Sequence, residues 1–261
     1  KTNMKKYTLT LILALVSLGL YAQTNRNKTI INAALHGWEY EIKAGVNLGG
    51  TAPLPFPEEI RSIDGYNPTL SITIEGNMTK WLDTKKKWGI ITGLRLENKG
   101  MRTKATVKNY NMEIIGYDGN RLKGNWTGGV RTKVQNSYIT IPVLAAYKLS
   151  PRTTLKLGPY FSYLMDGDFS GHVYEGYLRE TNPTGDKINF TNGAIATYDF
   201  SGDLRKFQWG VQAGVDWKAF KHLKVHADLN WGLNDIFNKD FKTVTFDMYA
   251  IYLNVGFGYA F

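Results

Sequence analysis

The chain of 261 residues has no cysteine, which excludes disulfide staples, thiolate metal sites, a cysteine nucleophile and a lipid-modified cysteine. Long apolar runs are also missing beyond the N-terminal region. The longest, Ile139–Tyr147 and Met248–Leu253, fall well short of the roughly 20 residues a membrane-spanning helix requires. Proline is sparse, and three of the eight, Pro53, Pro55 and Pro57, stiffen one segment into an extended rather than helical course. Charged residues make up 21%, a little below average, with Lys and Arg outnumbering acids 32 to 22. Glycine (27) and aromatic residues (16 Tyr, 12 Phe, 7 Trp) are plentiful, a composition that leans towards β structure.

The N-terminal stretch reads as a processing signal. Lys5 and Lys6 precede a largely apolar segment, Leu9 to Leu20, and Ala22 offers a small residue before Gln23. Residues 1–22 are therefore expected to be a signal peptide, with Met4 the initiator and 23–261 the mature domain. Cleavage there removes Lys1, Lys5 and Lys6 and no acid. As an uncleaved anchor the segment is too short to span a bilayer.

From residue 38 onwards the signal is alternation. Tyr249, Ile251, Leu253, Val255, Phe257, Tyr259 and Phe261 share one parity, opposite Ala250, Tyr252, Asn254, Gly256, Gly258 and Ala260. The pattern recurs from Trp38 to Leu48, Phe207 to Trp217 and Leu223 to Leu233, and in strands predicted at about 68–82, 87–101, 136–149 and 152–166. Eight strands result, each long enough to cross a membrane at a tilt, which takes about 9–11 residues. Their connections alternate long and short: 49–67, 83–86, 102–135, 150–151, 167–206, 218–222 and 234–247. A transmembrane antiparallel barrel has this rhythm, with short periplasmic turns, long extracellular loops and both termini periplasmic.

Aromatic residues near strand ends, Trp38, Trp81, Trp88, Trp209, Trp217 and Trp231 with Tyr40, Tyr249, Tyr259 and Phe261, are expected at the bilayer interfaces. A soluble barrel with its greasy face inward would have to crowd six or seven large side chains per strand into a lumen filled by one layer. A short hairpin at 171–180 would make a ten-stranded barrel the structural alternative.

The run Tyr138–Leu149, the Gly232-Leu-Asn-Asp-Ile236 segment and the terminal Val255-Gly-Phe-Gly-Tyr-Ala-Phe261 resemble the PorT-like outer-membrane β-barrel family of the Bacteroidetes. The resemblance covers the mature chain and implies a location in the outer membrane of a Gram-negative bacterium, without a shared active site. It also implies that Phe261, a terminal aromatic on an alternating strand, is read by the barrel-assembly machinery.

Chemistry-bearing residues are expected to serve structure. His226, Asp228 and Lys224 share a luminal face, but no serine lies within twenty residues of His226 to complete a nucleophilic set. No catalytic residue and no cofactor are assigned. The luminal charges read from parity are Glu39, Glu41, Lys43, Glu75, Arg95, Glu97, Lys156, Asp216, Lys224 and Asp228, nearly balanced in sign. Cross-pairing inside a plugged lumen follows, because an unpaired charge there is costly, whereas a selective channel carries a ring of one sign. No metal site is assigned among His36, His172, His222 and His226, since the i, i+4 pair lies about 13 Å apart on a strand. Asp166-Gly-Asp168 lacks the other ligands of a calcium loop and reads as a turn.

The long connections hold the candidate binding surface. Between 102 and 135 stand Arg102, Lys104, Lys108, Arg121, Lys123, Arg131 and Lys133 against Glu113 and Asp118. Arg121, Lys123, Arg131 and Lys133 are the candidates for contact with acidic lipopolysaccharide. Tyr174 and Tyr177, in the aromatic-bearing stretch 167–206, are the candidates for binding a protein or glycan. The expected partners are outer-membrane lipid, lipopolysaccharide, the assembly machinery and other envelope proteins; secretion separates the chain from nucleic acid. A structural or interaction role, as an accessory subunit of a surface or secretion assembly, is expected. A narrow porin-like channel is the alternative, and a barrel enzyme is less favoured.

Overall fold

A computed structural model describes residues 38–83, 85–116 and 119–261; the expected signal peptide lies outside them. Ten strands run β1 (Trp38–Pro53), β2 (Ile60–Pro68), β3 (Ser71–Trp81), β4 (Trp88–Ile115), β5 (Arg121–Lys148), β6 (Thr153–Glu180), β7 (Lys187–Asp199), β8 (Phe207–Lys218), β9 (Leu223–Gly232) and β10 (Met248–Ala260). A single turn of 3₁₀ helix, Ser201–Asp203, is the one helical element among the described residues.

Eight of the strands close a ring in the order β1–β3–β4–β5–β6–β8–β9–β10. Antiparallel pairing of β1 with β10, Leu48 opposite Leu253 and Ala44 opposite Phe257, seals it. Closure leaves no unpaired strand edge, a condition for crossing a bilayer without helices. The alternation read from the sequence sets the two faces. Ile42, Ile74, Ile90, Ile141, Trp209 and Phe257 stand outward and exposed, while Lys43, Glu75, Arg95, Thr140, Gln212 and Asp228 are buried inside. Lipid on one side and a polar lumen on the other account for both sets at once. Inward glycines make room for this filling: a Cβ at Gly214 would run into the Asp228 carboxylate.

Three of the four long connections differ from expectation. The segments 102–135 and 167–206 are largely strand, because β4, β5 and β6 are each 28 residues long and continue past the ring. Strand β2, within the expected 49–67 loop, pairs with the far part of β4. Residues 171–180, expected as a short hairpin, are instead the uninterrupted far part of β6; the turn follows at 181–186, and the return strand β7, with Ile188 opposite Leu178, pairs with β6 beyond the ring rather than entering it. Ile115, at the tip of β4, pairs with Thr197 of β7, so the outer parts of β4, β5, β6 and β7 close on one another beyond the ring. This extension encloses its own apolar core, including Trp126, Val130, Val134, Phe169, Val173 and Phe237. Asp166-Gly-Asp168 lies on β6 beside a bulge, not in a turn.

At the short-turn end Trp81 also departs from expectation. It is only 9% exposed and points inward beside Ile91, Leu144 and Ala146, with the Lys148 ammonium 4.4 Å from its ring centroid. The outward Trp88, Trp209, Trp217 and Trp231 remain exposed.

Candidate functional site

The lumen is filled. Lys43 donates to Asp216 at 3.1 Å, and Lys156 bridges Asp216 (2.6 Å) and Asp228 (2.7 Å). Further along, Arg95 donates to Glu75, to the Gln212 side-chain oxygen at 2.8 Å and to the Asn230 side-chain oxygen at 3.2 Å. Glu97 accepts from Thr140 at 2.7 Å and pairs with Lys99 at 3.1 Å. Lys99, absent from the parity-based set, lies 5.2 Å from the ring centroids of Tyr138 and Tyr160 and 5.8 Å from that of Tyr252. Above these tyrosines begins the apolar core of the extension. Glu39 sits at the short-turn end, paired with Lys86 at 3.0 Å, and Lys224 reaches Glu41 at 3.0 Å.

His226 shares a hydrogen bond of 2.8 Å with the Asn254 side-chain oxygen, and the buried hydroxyls of Thr140 and Ser162 bond each other at 2.7 Å. His222 is bonded instead to the Ala260 carbonyl at 2.8 Å. Among the described residues, no group of three or more His, Asp or Glu side chains is arranged to hold a metal ion.

The open site lies on the extension. A cleft of about 960 Å³ is lined by Arg102, Lys104, Arg131, Lys133, His172 and Asp199, among others. Register explains the crowding. One row across the sheet runs Asn67, Arg102, Lys133, Ser170, Asp199, and the next runs Gly65, Lys104, Arg131, His172, Thr197. Residues directly opposite on neighbouring strands have Cβ atoms about 4.5–5.5 Å apart, and like charges so placed repel. Here Arg102 faces Lys133 and Lys104 faces Arg131.

Only part of this charge is answered within the chain. Lys133 pairs with Asp168 at 2.6 Å, while Arg102, Lys104 and Arg131 make no carboxylate ion pair among the described residues. Tyr174 packs across Gly129, and its ring lies 5.3 Å from the Arg131 guanidinium and 5.5 Å from the Lys104 ammonium. The ring holds these two cations side by side. Burial and the neighbouring Arg131 charge lower the pKa of His172, favouring its neutral form.

The candidates read from the sequence therefore separate. Arg131, Lys133 and Tyr174 belong to the cleft or its rim. Arg121 and Lys123 lie near the hairpin tip, where Arg121 pairs with Glu113 at 2.9 Å and Lys123 stands opposite the same residue. Tyr177 lines a smaller groove with Arg61, Lys108 and Arg179, and Lys187 lies 4.1 Å from its ring centroid. Arg102, Lys104 and His172 complete the cleft; the signal for them was strand register rather than local charge density. Phe261 is 69% exposed, and its backbone N–H donates to the Tyr40 carbonyl at 3.0 Å.

Residues 21–238 match the family described as outer membrane protein beta-barrel domain. Among solved structures, the chain is similar to the attachment invasion locus protein Ail of Yersinia pestis, at 11% identity and TM-score 0.36, covering 86% of this chain and 97% of that one. Similarity to the outer membrane protease OmpT of Escherichia coli is at 12% identity and TM-score 0.33, over 86% and 96% of the two chains. For the outer membrane protein OprG of Pseudomonas aeruginosa the values are 12%, 0.30, 85% and 95%. No curated protein matches. The chain belongs to the outer-membrane β-barrel domain family.

Proposed function

We propose that this protein is a non-conducting, non-enzymatic interaction barrel that holds a folded β extension at the surface of a Gram-negative cell. On this reading the short turns and both ends of the described chain face the periplasm, and the extension faces outward. The observation that carries it is the blocked lumen, in which paired charges from Lys43 to Lys99 are capped by an apolar core and leave the exterior as the surface for contact. A narrow channel would need a continuous wet path with a bias of charge, and that is the competing reading.

The partners that fit the exterior are acidic: lipopolysaccharide, or an envelope protein for which this chain is an accessory subunit. Phe261, outward at the end of the closing strand, fits the expected assembly signal. The luminal pairing, in which His226 is bonded to Asn254, supports the non-enzymatic part of this reading. Planar-bilayer recording tests the reading. Silence of the folded barrel is the expected result, and reproducible unit conductance overturns it in favour of a pore.

A further inference from the structure

We infer that the cleft on the outward face of β4, β5 and β6 binds the phosphorylated saccharide headgroup of a membrane glycolipid. This rests on the interaction reading above and names the ligand class of that surface. Four observations carry it.

First, charge is concentrated against the preference of the fold. Arg102 opposite Lys133 and Lys104 opposite Arg131 place four cations in two adjacent rows, against Asp199 in the lining, Asp168 on Lys133 and Asp64 near Lys104. Repulsion of this kind destabilises the empty sheet and is relieved by an anion. Second, the geometry suits a phosphate. Two guanidinium groups and two ammonium groups stand in adjacent rows along one cleft, the Lys133 ammonium held by Asp168, and arginine offers a planar fork for bidentate contact with phosphate oxygens. The Tyr174 ring fixes Lys104 and Arg131 before any ligand arrives, which lowers the ordering cost of binding.

Third, these cations lie on the lipid-facing parity. Along β4 the outward residues Trp88, Ile90, Leu94 and Leu96 are followed by Asn98, Gly100, Arg102 and Lys104 without a change of face. On β5 the outward residues Ile141 and Ile139 lead through Ser137 and Gln135 to Lys133 and Arg131. Fourth, the height selects the ligand. Arg102 is six residues beyond Leu96 and Lys104 eight. At about 3.3 Å per residue and a tilt near 40° they stand roughly 15 and 20 Å above the last apolar residue. The headgroup zone of a simple bilayer extends only about 5–8 Å beyond the hydrocarbon. Cations at that height, with flexible stems that can lean towards the membrane, meet phosphate carried on a sugar layer.

The test uses the folded full barrel in zwitterionic micelles, titrated with a lipopolysaccharide whose core sugars carry phosphate, with the same glycolipid stripped of its core phosphate, and with inorganic phosphate. The core-phosphorylated lipopolysaccharide should bind in a salt-sensitive way, with the dephosphorylated form at least about tenfold weaker. The Arg102→Gln/Arg131→Gln variant should lose about a hundredfold, on the scale of tenfold per charge-assisted contact. Arg121→Gln/Lys123→Gln, away at the hairpin tip, should bind as wild type. Retention of the faster-migrating unboiled band in SDS gels establishes that each variant is folded, and Arg131→Lys should retain more affinity than Arg131→Gln.

Equal binding of the dephosphorylated glycolipid overturns the proposal. So does an equal loss in the tip variant, or saturation by inorganic phosphate at the same concentration as the core-phosphorylated lipopolysaccharide, which would make this a site for a free anion. None of these outcomes bears on conductance, so the interaction barrel and its ligand class stand or fall separately.

Discussion

Asp216 is the residue whose removal most directly probes the filled lumen. Its side chain is 5% exposed, and one carboxylate oxygen accepts from both Lys43 at 3.1 Å and Lys156 at 2.6 Å. The two lysines are not equally dependent on it, because Lys156 keeps Asp228 at 2.7 Å while Lys43 has no second ion pair. Asp216→Asn preserves volume and one acceptor but leaves the Lys43 ammonium buried without a contacting carboxylate. Stranding one member of a buried pair costs about 3–5 kcal/mol, and the lower end, about 3 kcal/mol, is expected here since an amide oxygen remains. Lys43→Met removes the other partner, but Asp216 then still holds Lys156, so a smaller loss, about 1 kcal/mol, should follow. The double variant strands neither group and should be more stable than Asp216→Asn alone. Reversible urea unfolding in lipid vesicles, followed by tryptophan fluorescence and the boiling-dependent gel shift, measures all three. Equal losses in the two single variants, or an Asp216→Asn cost below about 1 kcal/mol, would refute a cross-paired interior.

Leu253 faces outward between Leu48 and Leu229 on the neighbouring strands, so Leu253→Arg should destabilise by about 2–4 kcal/mol in the same assay; tolerance of the charge would reverse the assigned faces. At the β3–β4 turn, Asp83 accepts from the backbone N–H groups of Lys87 (2.7 Å) and Trp88 (2.9 Å), which lower its pKa. Its contribution to the turn is therefore complete above the ordinary aspartate range and lost as pH falls through the depressed value. Asp83→Ala should accelerate amide exchange at Lys87 and Trp88 at neutral pH, and unchanged protection there would remove the carboxylate from the account of the turn.

The membrane-spanning part was legible because each strand separates two unlike media, so its chemistry alternates in phase with the pleat. Trp38 to Leu48 and Phe207 to Trp217 follow that rule without interruption. The extension was not legible, although it alternates too, because bulges reset the phase. The irregularity between Ser137 and Tyr138, where Asp166 and Leu164 flank an extra residue on β6, moves the outward face of β6 from Tyr163 to Ser170, His172 and Tyr174. Carrying one parity straight through would have put Phe169 and Val173 outside, where they would look like loop residues; both are buried. Gly128 and Gly129 add a second shift and resemble a turn. Trp81 was misplaced for a different reason: proximity to a strand end says nothing about which face a ring takes, and its parity with Glu75 and Asn77 pointed inward.

For the basic cleft, the sequence displayed the cations but not their alignment. Charge density along 102–135 gives Arg121 and Lys123 the same weight as Arg131 and Lys133. Cross-strand register distinguishes them, setting Arg131 beside Lys104 and His172 while Lys123 faces Glu113. Such juxtapositions arise from residues 27 or 41 positions apart in the chain, which no local pattern encodes.

On the proposed reading, the extension and its cleft are presented at the cell surface while the short turns face the periplasm. The lack of native cysteine allows single thiols to report this without background. Thr127→Cys on the extension and Ser150→Cys in the β5–β6 turn, each treated on intact cells with a membrane-impermeant maleimide, give the most direct measurement. Labelling at 127 on intact cells, and at 150 only after the outer membrane is opened, is the expected result. Labelling at 150 with protection at 127 would place the cleft in the periplasm and contradict surface presentation.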